Sequence, residues 1–411
     1  MVIHFSSLSK QQKQVMMLYV TTMLGVLLGV LSSIINTNFM DPKDYGDVRY
    51  IQNIIGFIAS LLLFGYFLSG SRLLALSDDE VYSRRIRGAM VVILSVASVI
   101  LLISTIVCYF IHFKNQTVAI LFLISLPVCF NPLLSNYINT TTQGDNHIGR
   151  LALARLLPSL LYVIIAYIVF SNYGATSTSM ILLQWGVATI VFILIIASTN
   201  PSFDNLRPVF KALNKENKEY GLQLYWGSLI MVATNYLAGI SLGVFNEDNT
   251  EVGFYTLAMT VTSPLATLPA IIGTTYFKQF ASQNRIPVKV MKFTVIITVV
   301  SCLFFILLIK PIVSCLYSER YEPVGDYAIW LAVGYGIHGI GDMINRYLGS
   351  HGQGVSIRNS SIANGIFKIF GFTVLVYLWN TEGALLTNIL CSFIYALTLF
   401  YYYNKYIKAN E

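Results

Sequence analysis

Apolar residues in this chain come in continuous runs with little alternation. Residues 89–111 are one example, 23 consecutive positions without a charged side chain. An α-helix needs roughly 20 such residues to cross the hydrocarbon core of a bilayer. A barrel strand would alternate apolar and polar positions over about ten residues. Lipid satisfies no backbone polar group, so helices and closed barrels are the only structures that span it. The runs here are therefore helices. Twelve are expected, at about 14–36, 50–70, 89–111, 117–138, 151–170, 178–199, 220–243, 252–274, 291–310, 325–345, 359–379 and 383–403. Connections as short as His112–Gln116 and Asn380–Glu382 force antiparallel neighbours. The first run is too long for the core of a signal peptide and reads as a retained span.

Composition agrees with the pattern. Of 411 residues, 55% are hydrophobic and 11% charged, against about 25% charged in soluble domains. So few charges cannot cover a water-facing surface, which excludes a cytosolic enzyme, a nucleic-acid binder and a disordered chain. The five cysteines show no CxxC or Cys/His spacing, so they read as packing residues, and neither a metal nor a cofactor is expected.

The basic residues orient the spans. Twenty Lys and Arg fall at the termini and in the loops joining even to odd spans, and five fall in the opposite loops. That bias places both termini in the cytoplasm. The net charge of +7 is then a topology signal, and no nucleic acid is implied as a partner. The longest inner connection, 200–219, carries Arg207, Lys211 and Lys215 at i, i+4, i+8 beside Phe210 and Leu213. It is either a solvated connector or an amphipathic helix on the inner leaflet. It divides the chain into a six-helix lobe at 1–199 and another at 220–411. After span one comes an acidic loop ending at Gly46, and after span seven another ending at Gly253, an offset of 207. With an even number of spans per half, this makes a parallel repeat.

These loops carry a family resemblance. Asp41-Pro42-Lys43-Asp44-Tyr45-Gly46 resembles the GPxxYG element before span two of the multidrug/oligosaccharidyl-lipid/polysaccharide exporter superfamily, with Asp41 in place of the first Gly. Val252-Gly253-Phe254-Tyr255 resembles the vGxY element before span eight. Leu316–Tyr321 resembles the lFGxxY element between spans nine and ten, with Tyr317-Ser318 replacing Phe-Gly, and Thr142-Gln143-Gly144 followed by Arg150 is similar to the polar loop after span four. The resemblance is closest to the polysaccharide flippase branch, the O-antigen (Wzx-type) translocases. It implies an all-α polytopic membrane protein with about 12 transmembrane helices in two six-helix lobes around a central cavity. It also implies a bacterial inner membrane, a role in lipopolysaccharide biosynthesis and a cargo of undecaprenyl-pyrophosphate-linked oligosaccharide. Further partners would be membrane lipids and other polysaccharide assembly proteins. An ion-coupled multidrug exporter of the same superfamily is the alternative; a polysaccharide polymerase and a non-transporting scaffold are more distant rivals.

Charges inside spans cost about 2.5–3.5 kcal/mol at the bilayer centre, so they mark the candidate site. Lys368 lies near the middle of span eleven. It either pairs with a nearby acid or helix-end carbonyl, or serves as a cation for an anionic substrate. His338, Asp342 and Arg346 share one face of span ten. Asp342 and Arg346 are spaced to pair, Arg346 is a further substrate-binding candidate, and His338 and Asp342 are candidates for proton coupling. Asp342 is the one clear acid within a span. Arg155, Arg72 and Arg49 read either as anchors near span ends or as substrate ligands, Arg155 being the best placed.

Gly334-Tyr335-Gly336-Ile337-His338-Gly339 matches GxGxxG literally, but it lies in an apolar span with no βαβ unit, so its glycines are expected to pack helices. Thr21, Gly25, Gly29 and Ser33, and Asn235, Gly239 and Gly243, are expected to do the same. No Walker A sequence is present and the outer loops are short, so a transporter is expected and an enzyme is not.

Overall fold

The computed structural model describes residues 10–145 and 147–410, without the side chains of residues 10–16, 18, 19, 148, 227, 228, 231 and 278. Lys10, Lys13 and Lys278, three cations of the charge bias, therefore lie outside the described side chains. All regular structure among the described residues is helical. The chain begins with α1 (Lys10–Phe39), α2 (Pro42–Leu61), α3 (Tyr66–Ala75) and α4 (Glu80–Ile111). Next come α5 (Gln116–Ser125), α6 (Asn131–Gly144), α7 (Ile148–Tyr173), α8 (Ser177–Ser198) and α9 (Leu206–Glu216). The remainder is α10 (Leu222–Phe245), α11 (Thr250–Thr262), α12 (Pro264–Thr275), the single turn α13 (Phe277–Phe280), α14 (Val288–Leu316), α15 (Pro323–Ser350), α16 (Gly354–Phe370) and α17 (Val376–Asn410). Local chemistry sets several ends. Asp79 accepts the Val81 amide at the start of α4, Thr176 and Ser179 cap α8 reciprocally, and Gly174 at φ 76° ends α7.

Among the described residues, eight helices are long and apolar enough to span a bilayer, or nine when the bent pair α2 and α3 counts as one span. All twelve expected segments are largely helical, though those at 50–70 and 117–138 are interrupted, and twelve crossings are not reached. Three stretches account for the shortfall. One 57-residue stretch, Gly354–Asn410, contains two expected spans and is broken at Trp379 and Asn380, where φ and ψ leave the helical region. Of α10 (Leu222–Phe245) only Val232–Phe245 enters that count, because the side chains of residues 227, 228 and 231 lie outside the described ones. Helix α15 carries Asp326, Asp342 and Arg346 and is not among the eight. Asp326 is ion-paired with Lys310 at 2.6 Å and Asp342 accepts from the Tyr395 hydroxyl, while Arg346 is exposed.

Two compact units form. Unit 1 comprises the described residues of Met1–Met40 and Ile54–Trp226, and unit 2 those of Asp41–Asn53 and Gly227–Glu411. Relative to the lobes expected at 1–199 and 220–411, residues 41–53 pack with unit 2 and the connector 200–219 with unit 1.

In unit 1, α7 packs on α1 and α8, α3 on α6, and α4 on α5. The connector is a helix. Val209 and Leu213 of α9 are buried, in a helix packed on α3 and α4, while Arg207, Lys211 and Lys215 are exposed. Span two, expected to be continuous, is broken at residues 62–65 with a bend of 62°. Phe64 and Gly65 both take positive φ there. Among the described residues, the small-residue face of α1 makes no close contact at its centre. A Cβ on Gly25 or Gly29 would meet no heavy atom within 4 Å, which corrects the expectation of packing there.

In unit 2, α15 is the hub, packed against α11, α12, α14, α16 and α17. Its glycines allow this. A Cβ on Gly334 would lie 2.5 Å from Asn388, and one on Gly339 2.8 Å from Pro269, so the GxGxxG run is a packing surface. Gly239 and Gly243 pack in the same way on Asn53 and Tyr50. Gly46 and Gly253 meet each other: a Cβ on Gly253 would come within 3.2 Å of the Gly46 nitrogen. That close approach is one reason residues 41–53 belong to unit 2.

Candidate functional site

Three of the four loop elements that carry the family resemblance converge in unit 2. Tyr321 presents its ring edge to Tyr45 at 6.1 Å and packs at 6.0 Å from Phe254. Asp41, the departure from the family pattern, is ion-paired with Arg320. Asp47 is buried and accepts the Asn249 amide at 2.7 Å. The expected start of span two at residue 50 had left Asp47 in a loop. Helix α2 begins at Pro42, so Asp342 is not the one acid carried by the spanning helices.

Lys368 projects from α16 and is half-buried. Its Nζ donates to the Asn235 Oδ1 on α10 at 3.0 Å. No acidic partner neutralises it among the described residues, and its acceptor is a side-chain amide. Asn235, expected only to pack, is the group that orients this cation. His338 and Cys391 lie within electrostatic reach of Lys368, and Asp342 within reach of His338.

The face of α15 is organised by Tyr395 of α17. The His338 ring stacks on Tyr395 at 4.6 Å. The Tyr395 hydroxyl donates to Asp342 Oδ1 at 3.0 Å and accepts from Asn345 Nδ2 at 2.7 Å. Asp342 thus takes a phenol as its partner and does not pair with Arg346 among the described residues, which corrects that expectation. Arg346 is exposed, its aliphatic stem lying beside Gly273. The result is a half-buried lysine on a neutral amide, near a tyrosine that bonds a carboxylate and stacks on a histidine.

In unit 1, Arg155 of α7 is half-buried and donates to Thr22 Oγ1 of α1 at 3.0 Å. It too lacks an acidic partner among the described residues. Further along the same helix pair, Tyr162 donates to Asn36 at 2.5 Å in a buried contact. Arg72 differs. It is ion-paired with Glu216 at 2.6 Å and stacks over Tyr220 at 4.6 Å, so its charge is spent on tying α3 to the connector. Arg49 donates to Gln52 at 2.8 Å and lies over Tyr45 at 4.8 Å, a local anchor at the start of α2.

Sequence reasoning missed Arg87, which it counted only as a loop cation. Arg87 is buried and grips both carboxylate oxygens of Asp145 at 2.9 and 3.0 Å, together with Glu80 at 2.9 Å and the Thr199 carbonyl at 3.2 Å. It also missed Glu251, whose carboxylate accepts from Tyr327 at 2.7 Å and Thr381 at 2.6 Å. Both are held by residues far away in sequence, which spacing alone does not reveal. Among the described residues no group of His, Cys, Asp or Glu is arranged to hold a metal.

Residues 12–277, more than half of the chain, match a protein family described as polysaccharide biosynthesis protein. No curated protein sequence matches the chain. Among solved structures, the fold is similar to the lipid II flippase MurJ in an inward closed conformation, with a TM-score of 0.72 and 15% identity over 94% of this chain and 87% of that one. It is also similar to an inward-facing multidrug resistance MATE family transporter of the MOP superfamily, with a TM-score of 0.69 and 16% identity over 95% and 98%. A MOP superfamily transporter from Pyrococcus furiosus gives 0.62 and 16% over 97% and 96%.

Proposed function

Because the chain belongs to the polysaccharide biosynthesis protein family, we propose that it is a flippase for an undecaprenyl-pyrophosphate-linked oligosaccharide, an O-antigen or similar repeat unit. The cargo would move from the cytoplasmic to the outer leaflet of a bacterial inner membrane by alternating access. The observation that carries this reading is Lys368, a cation inside an apolar helix that is oriented by an amide and left without a counter-charge among the described residues. A pyrophosphate supplies the missing charge. Arg155 and Arg346 also lack a counter-charge among the described residues and are the next anion ligands; Arg72 and Arg49 rank lower because they are engaged locally. An ion gradient would drive the cycle through Asp342 and His338, the two side chains that Tyr395 bonds and stacks on. The test is a strain lacking the gene and complemented by Lys368→Ala at wild-type abundance. The lipid-linked unit should accumulate on the cytoplasmic side. Normal surface polysaccharide in that strain would overturn the reading.

A second reading keeps one observation of its own. The half-buried Asp342 carboxylate, bonded to Tyr395, suits a cationic substrate and an ion-coupled multidrug exporter of the same superfamily. Resistance to lipophilic cations on expression, lost in Asp342→Asn, would favour it over the flippase.

A further inference from the structure

The basic stripe on the connector has no part in the site described above. Arg207, Lys211, Lys215 and Lys218, with Phe210 and Asn214, surround an open pocket of about 520 Å³ that contains no acidic side chain. None of the four cations is ion-paired among the described residues. The acids nearby are engaged or outside the pocket: Glu216 holds Arg72 and Asp204 takes the Ser202 hydroxyl. Glu219, like Glu216 and Asp204, does not line the pocket.

A second cavity adjoins this shelf and shares Phe210 and Asn214 with it. It is a groove of about 290 Å³ whose walls are Leu62 and Phe64, at the break in span two, and Val92, Val96 and Ile100 of α4. From Val92 to Ile100 it runs about 12 Å along α4, at 1.5 Å per residue. Val96 and Ile100 are 56% and 43% exposed on a helix apolar enough to span a bilayer, so the groove opens toward hydrocarbon. A soluble anion would use the shelf and leave the groove empty. An amphiphile with a phosphate at one end uses both.

We propose that unit 1 binds one anionic phospholipid, its phosphate on the Lys211, Lys215 and Lys218 shelf and an acyl chain in the groove beside Val96. The charge bias of the sequence assigns this lipid to the cytoplasmic leaflet, where anionic headgroups and basic segments attract one another. The residues involved are separate from Lys368, Asp342 and Arg155, so this inference and the flippase reading fail independently.

The test uses the full chain in neutral detergent, titrated with phosphatidylglycerol and with phosphatidylcholine of equal chain length and read by native mass spectrometry. Phosphatidylglycerol should bind at least about tenfold more tightly, and the triple substitution Lys211→Gln, Lys215→Gln, Lys218→Gln should erase that preference, a loss of up to about a hundredfold. The corresponding triple Lys→Arg protein should retain the preference. Val96→Trp, which fills the groove and leaves every charge in place, should weaken both lipids. Equal binding of the two lipids by the wild type, or undiminished phosphatidylglycerol binding by the glutamine protein, overturns the proposal. So does competition by glycerol phosphate as strong as that of the whole lipid, because the site would then serve a soluble phosphate.

Discussion

A lysine ammonium inside an apolar helix is stabilised by whatever accepts its protons, and at Lys368 that acceptor is the amide oxygen of Asn235. An amide orients the cation without cancelling its charge. The substitution Asn235→Asp tests what that distinction is worth. It converts a charge–dipole contact at 3.0 Å into an ion pair, which should leave folding intact, since a paired charge in a span is less costly than an unpaired one. Affinity for a pyrophosphate-bearing substrate should nevertheless fall by about ten- to a hundredfold, the worth of one charge-assisted hydrogen bond of roughly 1.5–3 kcal/mol. Transport assays with lipid-linked oligosaccharide in inverted vesicles measure this. Unchanged transport with a raised melting temperature would instead make Lys368 a structural residue. Lys368 was legible in the sequence because a lone charge interrupts an apolar run. Asn235 and Tyr395 were not, because they act on residues 133 and 53 positions away, and an amide or phenol in an apolar run has many bland explanations.

At the scale of elements, the run at 50–70 reads as one span, yet α2 and α3 meet at 62°. No proline marks the break, and Gly65 is its one local signal. Two of the carbonyls in the break are bonded by side chains that follow in or after the connector: Leu61 O accepts from the Tyr225 hydroxyl at 2.8 Å and Phe64 O from Asn217 Nδ2 at 3.1 Å. Backbone groups freed from a helix at membrane depth must find partners, and these side chains supply them. Asn217→Ala and Tyr225→Phe should each destabilise the protein by about 1–2 kcal/mol, visible as a lower melting temperature in detergent. Their double substitution should cost close to the sum, since the two bonds serve different carbonyls.

Arg87 predicts a larger effect. It joins α4 to the ends of α6 and α8, and Asp145 beneath it is almost fully buried. Arg87→Met should cost about 3–5 kcal/mol by leaving that carboxylate unpaired, and Arg87→Met with Asp145→Asn should recover most of it. Equal losses in the single and double variants would show that packing, and not charge, holds this corner.

For the molecule as a whole, helicity and the membrane were legible from the runs alone, because the lipid solvent allows so few backbone solutions. The number of crossings was not, because a helix such as α15 is packed on five neighbours yet carries Asp326, Asp342 and Arg346, which break its apolar run. Parity separates the two counts. Twelve crossings return the C-terminus to the side of the N-terminus, whereas nine place it opposite. The charge distribution makes an independent demand: Lys405 and Lys408 belong to the richer set of basic loops, as do Arg84, Arg85 and Lys211. The expected result is an even count. Alkaline phosphatase, active only outside the cytoplasm, should be inactive when fused after Glu411 and when inserted in the connector at Pro201–Asn205, and active when inserted between His112 and Gln116. A fluorescent protein that matures in the cytoplasm should give the reverse pattern at the same three positions. An active phosphatase at the C-terminus combined with an inactive one in the connector would mean an odd number of crossings between them. The bent pair lies before the connector, so that outcome would locate the discrepancy in the second half of the chain, at α10, α15 or the kink at Asn380.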